Sequence, residues 1–328
     1  EKIFVGVGAR VNPNSDMFGG YAFVNIAGVQ RTVRFSRAWR PNFELSIGPL
    51  HIRFPEPLKK IQLTLDANDS GIAFDFLWEG TSPAFLEGHH IATTRGRRTT
   101  EQSRYSQAGK VSGHLAVGER QWTLDPEQWT GGRDHSWGLY VEREPLAPNA
   151  RFLPPRKPHG VPRALRIWTC FRTGEVSGFF HLHESAEGLQ CEMDDPFGSP
   201  FGGVLHRAGD AEPTQLTAGS HQVRYRENTR IAEHAVIALS DEHGGQWRLE
   251  LSVVAPPWFP ATLGYTTGSW KDGGTFHTYH GSETLATEWD EFDFSQQPCV
   301  FRPYQMQGPA AHDNFGLGFN FDKPMIGI

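Results

Sequence analysis

Apolar and polar residues alternate along most of this chain, in short segments that are separated by turn-forming residues. The alternation is clear in residues 61–66 and 72–78 of the first half and in residues 164–171 and 246–253 of the second. A period of two places every second side chain on one face, which is typical of a strand with one buried side. Because no long segment carries a helical stripe of apolar residues, the pattern predicts an all-β protein.

Turn sequences and prolines predict how the strands are organised. Asn68-Asp69-Ser70-Gly71 and Ser240-Asp241-Glu242-His243-Gly244-Gly245 are turns of the kind that join antiparallel hairpins. Six prolines between residues 144 and 162 divide the chain almost evenly, so we expect a domain boundary near residue 155. Residues 1–155 and 156–328 are each long enough for one closed barrel or one sandwich. The prediction is two tandem antiparallel β domains.

Charge gives little support to a nucleic-acid partner. Thirty-one Lys and Arg residues stand against 37 Asp and Glu residues, for a formal net charge of −6. The densest basic run, Arg95, Arg97 and Arg98, has no aromatic residues beside it for bases to stack on. We therefore interpret the run as a solvated strand edge and expect no nucleic acid among the partners.

The three cysteines and the hydropathy pattern bear on location. Cys170, Cys191 and Cys299 are odd in number and widely spaced, which favours neither a disulfide framework nor a zinc site. We expect a reducing, cytoplasmic environment. No apolar stretch reaches the length of a membrane span, so none is expected. The chain begins at Glu1 without a methionine, and the sequence stays compatible with a leader removed upstream. The sequence does not indicate an oligomeric state.

A guanidinium, a carboxyl group, an imidazole and an indole lie within five residues of the string Gly131-Gly132-Arg133-Asp134-His135-Ser136-Trp137-Gly138. In an extended segment Asp134 faces one side, whereas Arg133, His135 and Trp137 face the other. A carboxyl group beside aromatic surface can hold a proton and act as a general acid. An ion pair between Arg133 and Asp134, with Trp137 closing a barrel end, is the structural alternative.

The Asp-His-x-Trp-Gly pattern, with Glu101-Gln102 and the segment 113–118 before it, resembles a lipocalin-like superfamily. That superfamily includes carotenoid 1,2-hydratase, the AttH-like proteins and decalin-forming Diels-Alderases. The resemblance implies two tandem lipocalin-like β-barrels. It also implies a cofactor-independent hydro-lyase, isomerase or cyclase that acts on a C=C bond of an apolar small molecule of terpenoid or polyketide type. Asp134 matches the motif's acid, the expected proton donor, and Trp137 matches its tryptophan.

Further residues are assigned to this expected site. His135 joins Asp134 as a catalytic candidate because it can set the charge on the carboxyl group. Arg133, Trp137 and Trp168 are expected to bind substrate, together with Tyr265 and Tyr279. Other aromatic residues of the second half, Trp258 and Trp270, are weaker candidates, since large aromatic side chains commonly fill β-barrels.

Two other functions stay open. A non-catalytic carrier of hydrophobic ligands would use the same cavity, with Asp134 in a structural role. A metal-dependent, cupin-like enzyme would use His181 and His183, which share a strand face, with Glu187 and His206 as further ligands. The spacing of these residues departs from the cupin motif, so the prediction is that no metal and no cofactor are bound.

Overall fold

A computed structural model of the chain describes residues 3–94, 97–140, 161, 165–191, 199–225, 227, 232–253, 286–293, 319–320 and 325–327. Within these residues the regular elements are β-strands, apart from one short 3-10 turn at Pro13–Ser15. The all-β prediction is confirmed. The expected boundary near residue 155 falls outside the described residues and stays a prediction.

The first sheet contains 13 of the described strands. Eleven follow one another along the chain, and two come from its C-terminal part. They are β1 Ile3–Asn12, β2 Met17–Ile26, β3 Val29–Ala38, β4 Ser46–Ile47, β5 Leu50–Glu56, β6 Lys60–Leu65, β7 Ile72–Gly80, β8 Phe85–Thr94, β9 Arg97–Val117, β10 Arg120–Leu124, β11 Thr130–Tyr140, β18 Ala286–Asp293 and β20 Met325–Gly327. Neighbouring strands are antiparallel, except that β20 runs parallel to β1 and β11.

The second sheet contains seven of the described strands. Six of them form an antiparallel meander in chain order, as the hairpin turns predict. They are β12 Leu165–Thr173, β13 Val176–Glu184, β14 Phe201–Arg207, β15 Thr214–Tyr225, β16 Ala232–Asp241 and β17 Gln246–Val253, with β19 Phe319–Asn320 beside β17.

The first sheet curls around its own apolar core. Alternation in β6 and β7 sends Leu63, Phe76 and Trp78 inward, and each is almost completely buried. The two ends of the sheet approach each other, because a Cβ atom on Gly20 of β2 would meet Ile47 and Leu50 at less than 3 Å. The second sheet has a separate apolar core that includes Phe180, Leu182 and Ile237.

Strand β9 connects the core of the first sheet to the second sheet. Its C-terminal half pairs with β7 and β10, and its N-terminal half pairs with β8 and β11. The outer face of this N-terminal half packs on β12 and β13, where the Cys170 thiol donates to the Gln107 carbonyl at 3.4 Å. No helix in the described part of the chain has the length and hydropathy needed to cross a membrane.

Candidate active site between the two sheets

The motif strand β11 directs its side chains to two different places. Even-numbered residues face the second sheet, since a Cβ atom on Gly132 would lie 2.7 Å from Cβ of Cys170. Odd-numbered residues face the inner side of the first sheet, where the Arg133 guanidinium lies 5.3 Å from the Trp78 ring. Asp134 and Trp137 therefore lie on opposite faces of β11, as the alternation predicts.

On the inner side, four side chains form what we call the aromatic cluster: Tyr105, Arg133, His135 and Trp137. Arg133 donates a hydrogen bond to the Tyr105 hydroxyl and lies 4.8 Å from its ring. The Tyr105 ring stacks on His135 at 5.4 Å and lies 6.1 Å from Trp137. Arg133 is buried, whereas Trp137 is 48% exposed. The cluster thus runs from the apolar core to the surface.

Electrostatics in the aromatic cluster favour an uncharged histidine. His135 lies at the exposed end of the cluster, but its neighbours remove part of its ring from water, which lowers its pKa; the Arg133 guanidinium lowers the pKa further, against a smaller opposing effect of Asp134. Burial also raises the pKa of Tyr105. Near neutral pH the cluster therefore carries the charge of Arg133 beside a neutral phenol and a neutral imidazole.

Between the sheets lies a second set of side chains, which we call the interface layer. The first sheet contributes Phe85, Glu87, Gln102, Arg104, Ser106 and Asp134, and the second contributes Arg166, Trp168, Cys170, Phe179 and His181. Aromatic contacts cross it, with Phe85 and Phe179 at 5.5 Å between ring centres. The layer combines an apolar part with several charged groups.

Glu87 is the buried carboxylate of the interface layer. Its Oε1 accepts hydrogen bonds from the Trp168 indole at 3.0 Å and from the Ser106 hydroxyl. Its Oε2 lies 3.5 Å from Nη2 of Arg166, and both side chains of this ion pair are only 3% exposed. Removing two charges from water is costly, and their attraction often fails to offset that cost. Packing alone therefore does not explain this pair.

A β-bulge aims Glu87 into the layer. Leu86 lies opposite Tyr105 and Gly88 lies opposite Arg104, so Glu87 is the additional residue in β8. Gly88 has a φ of 117°, which a glycine adopts without strain. Bulges commonly redirect side chains beside active sites. The bulge thus turns Glu87 inward, while Leu86 stays 61% exposed.

Asp134 lies at the rim of the interface layer. Its Oδ2 is 3.5 Å from Nε of Arg104, and the Asp134 side chain is 38% exposed, whereas that of Arg104 is 8% exposed. Asp134 lies opposite Ser106, the residue that donates to Glu87. Ser106 therefore lies beside both carboxylates: the partly exposed Asp134 is its partner across the strands, and the buried Glu87 accepts its hydrogen bond.

The second-half candidates differ in their positions. Trp168 lies in the interface layer, where it donates to Glu87 and packs edge-on against Phe179 at 5.2 Å. Tyr265, Tyr279, Trp258 and Trp270 fall outside the described residues, and their assignment stays a prediction. The Cys170 thiol is completely buried, which raises its pKa and keeps it protonated.

The histidines of the metal alternative do not converge. His181 and His183 stack on each other at 5.1 Å, but His206 lies opposite Ser177, and its ring contacts the carbonyls of Thr81 and Asp210. Glu187 accepts a hydrogen bond from Ser185 instead. In the part of the chain that the structure covers, no group of three or more His, Cys, Asp or Glu side chains is arranged to hold a metal ion.

Sequence reasoning missed Glu87, Ser106 and Arg166. The signal for Glu87 was the lone glycine at position 88 inside an alternating segment, which indicates a bulge. Ser106 and Arg166 gave no signal, because their role comes from the packing of two sheets.

In the basic run at residues 95–98, Arg98 forms an ion pair with Glu101 at 2.6 Å.

Comparison with known proteins places this chain in a family. A family model described as "Family of unknown function (DUF8625)" matches residues 1–300. The chain belongs to that family. No curated protein matches the sequence.

Among solved structures, kievitone hydratase from Nectria haematococca is similar with 12% sequence identity and a TM-score of 0.35. The match covers 73% of this chain and 72% of the hydratase. A likeness this weak carries no argument about activity, so the functional inference depends on the residues themselves.

Proposed function

We propose that this protein is an enzyme that acts on a C=C bond of an apolar small molecule by acid–base catalysis and without a cofactor. The reaction is a hydration, the reverse dehydration, or an isomerisation or cyclisation. The substrate, of terpenoid or polyketide type, lies in the interface layer between the two sheets.

The observation that carries the proposal is the burial of Glu87. A carboxylate that is 3% exposed and held by a bulge, a serine, an indole and an arginine is an expensive arrangement. Replacement by apolar residues of similar size often leaves a protein equally stable or more so. A role in proton transfer gives a reason for the arrangement, because catalytic carboxylates are commonly held in such surroundings.

Asp134 and Glu87 carry out the proton transfers of the proposed reaction. Asp134, at the rim, donates its proton to one carbon of the C=C bond, and the electron pair of that bond forms the new C–H bond. The cation at the other carbon is stabilised by the face of Trp168. Water then adds to the cation and releases a proton to Glu87. Glu87 passes this proton to solvent, and Asp134 takes up a new proton from water at the rim, which restores both groups. In an isomerisation, Glu87 instead removes a proton from the adjacent carbon, and a new C=C bond forms.

The aromatic cluster takes no part in this step, because β11 directs it to the opposite face. In this proposal Arg133 and His135 hold the motif strand in place against Trp78 and Tyr105. Their earlier assignment to catalysis and binding stays a prediction, which substitution of His135 can test alongside the carboxylates.

The test uses deuterated water and terpenoid alcohols such as farnesol and geraniol. A hydration adds one water and one carbon-bound deuterium, whereas an isomerisation adds deuterium without water, and mass spectrometry separates the two. We expect turnover in the wild type and a loss of about 100-fold or more in Asp134→Asn and Glu87→Gln, the usual size of a general acid–base contribution.

Two controls separate catalysis from carriage and from structure. Glu79→Gln changes a carboxylate of the same sheet that pairs with Lys60 and lies outside the layer, and it should keep full turnover. If the wild type binds the alcohols but neither deuterium nor water enters them, the protein is a carrier. If Asp134→Asn and Glu87→Gln turn over like Glu79→Gln, the proposed site is wrong.

A further inference from the structure

Gln102 is the most unusual polar side chain of the interface layer. It is 1% exposed, and neither its amide oxygen nor its amide nitrogen has a hydrogen-bond partner among the residues that the structure describes. A buried amide without partners is costly, since it loses its bonds to water and gains none. Most buried polar groups in proteins are hydrogen-bonded, so this exception requires an explanation.

The strand register places Gln102 in the same row as the groups of the proposed reaction. Gln102, Arg104 and Ser106 alternate onto the outer face of β9, and Ser106 donates to Glu87. Gln102 is four residues from Ser106, or about 13 Å along an extended strand. The amide and the two carboxylates therefore lie at opposite ends of one face.

A glycine lies directly opposite Gln102 on the neighbouring strand. This glycine is Gly138 of β11, the last residue of the sequence motif. Gly138 has a φ of 123°, and a Cβ atom there would lie 2.0 Å from the Glu101 carbonyl oxygen, so only glycine fits. On the other side, β8 places the buried His90 opposite Gln102. The β11 neighbour of Gln102 therefore has no side chain that could pair with the amide.

We propose that Gln102 binds an oxygen function of the substrate, so that the substrate is an oxygenated apolar molecule and not a hydrocarbon. An amide offers one acceptor and two donors, which match a hydroxyl group or a carbonyl group. The oxygen function is of the order of 10 Å from the reacting C=C bond, given the spacing along β9. This inference rests on the proposed function, since it places the substrate in the interface layer.

The first experiment measures binding, which needs no turnover. Farnesol, farnesal and the hydrocarbon farnesene differ in their oxygen function, and their binding is followed by quenching of tryptophan fluorescence. We expect the wild type to bind the alcohol or the aldehyde about tenfold tighter than the hydrocarbon, as one buried hydrogen bond provides. Gln102→Leu should abolish this preference while it keeps the affinity for farnesene.

The second experiment measures thermal stability without any ligand. Gln102→Leu removes a buried amide that lacks partners, so its Tm should rise by a few degrees, on the order of 2–4 °C for each kcal/mol in a protein of this size. Gln107→Leu is the matched control. The Gln107 amide donates to the carbonyls of Leu58 and Ser82, each at 2.8 Å, so its loss should lower Tm.

The outcomes separate this inference from the proposed function. A higher Tm together with a lost oxygen preference supports the role of Gln102, even if no compound is turned over and the protein is a carrier. The inference is overturned if Gln102→Leu lowers Tm as Gln107→Leu does. It is also overturned if the wild type binds the three compounds equally or binds none of them, whatever the turnover assay shows.

Discussion

The apolar core of the first sheet and the interface layer lie on opposite sides of the same strands, yet they are built from different residues. The core is formed by aliphatic and aromatic side chains such as Leu63, Phe76 and Trp78. The layer contains Glu87 and Arg166, which are equally well buried. Burial of apolar surface is what stabilises a fold, whereas burial of charge opposes it. This contrast is the reason for our proposal that the layer serves binding and chemistry.

The largest expected effect is on the apolar side of this comparison. Phe76 is completely buried and stacks on Phe74 at 4.4 Å between ring centres. Phe76→Ala removes a large apolar contact and leaves a cavity, so we expect a loss of about 3–5 kcal/mol in the free energy of unfolding, measured with urea. Leu86→Ala, at a 61% exposed residue, should change it by less than about 0.5 kcal/mol. Similar losses in the two variants would contradict the assignment of the core.

The next effect comes from breaking the buried ion pair. Arg166→Met leaves the Glu87 charge in the layer with only Trp168 and Ser106 as partners, and we expect a loss of about 3 kcal/mol. Adding Glu87→Gln should restore most of that stability, because no unpaired charge then remains. If Arg166→Met costs less than about 1 kcal/mol, water reaches the pair and the layer is not a buried site.

A smaller effect depends on pH and concerns the aromatic cluster. Partial removal of its ring from water lowers the pKa of His135 below its ordinary value of 6.5, so the unfolded chain binds a proton more readily than the folded one. The folded protein therefore keeps its full stability above pH 6.5, where His135 is neutral in both states. It loses stability as the pH falls through 6.5 and below, because the unfolded chain then binds the additional proton. His135→Asn should flatten the decrease of Tm with falling pH.

The matched control is His114→Asn, nine residues beyond Tyr105 on β9 and exposed to solvent. It should leave the decrease of Tm as steep as in the wild type. A decrease that is unchanged in His135→Asn would show that the surroundings of His135 beside Arg133 do not lower its pKa.

The smallest effect tests how tightly the sheets are packed. Burial raises the pKa of Cys170 far above its usual range, and its Cβ lies directly over Gly132, so the thiol should resist alkylation in the folded protein. Cys191 is partly exposed and should react more than tenfold faster, as peptide mass mapping after iodoacetamide treatment would show. Equal rates would mean that the two sheets separate readily.

The sequence predicted the strand pattern well but only part of the site. Alternation in residues 61–66 and 72–78 depends on local chemistry, and it correctly predicted β6, β7 and their buried faces. The same rule placed Asp134 and Trp137 on opposite faces of one strand. It gave no information about what lies over each face, because the partner of Asp134 is Arg104, 30 positions earlier.

Glu87 shows the physical limit of such reasoning. Its burial depends on a bulge in β8 and on contacts with Arg166 and Trp168 of another sheet, which lie 79 and 81 residues later in the chain. A single sequence records neither the bulge partner nor the sheet packing. Gly138 shows the same limit. Glycine is required there because φ is positive, and the sequence does not reveal that backbone conformation.

The most direct test of the central claim measures stability and turnover together in Glu87→Gln. This change keeps the size of the side chain and its ability to accept from Trp168, but it removes the charge and the capacity to take up a proton. The account predicts a loss of about 3 kcal/mol in the free energy of unfolding, since the buried Arg166 charge then lacks its ionic partner, and adding Arg166→Met should restore most of that stability. It also predicts that turnover of the terpenoid alcohols in deuterated water falls by about 100-fold or more. Turnover at the wild-type level in a stably folded Glu87→Gln protein would contradict the claim that the layer between the sheets is the active site.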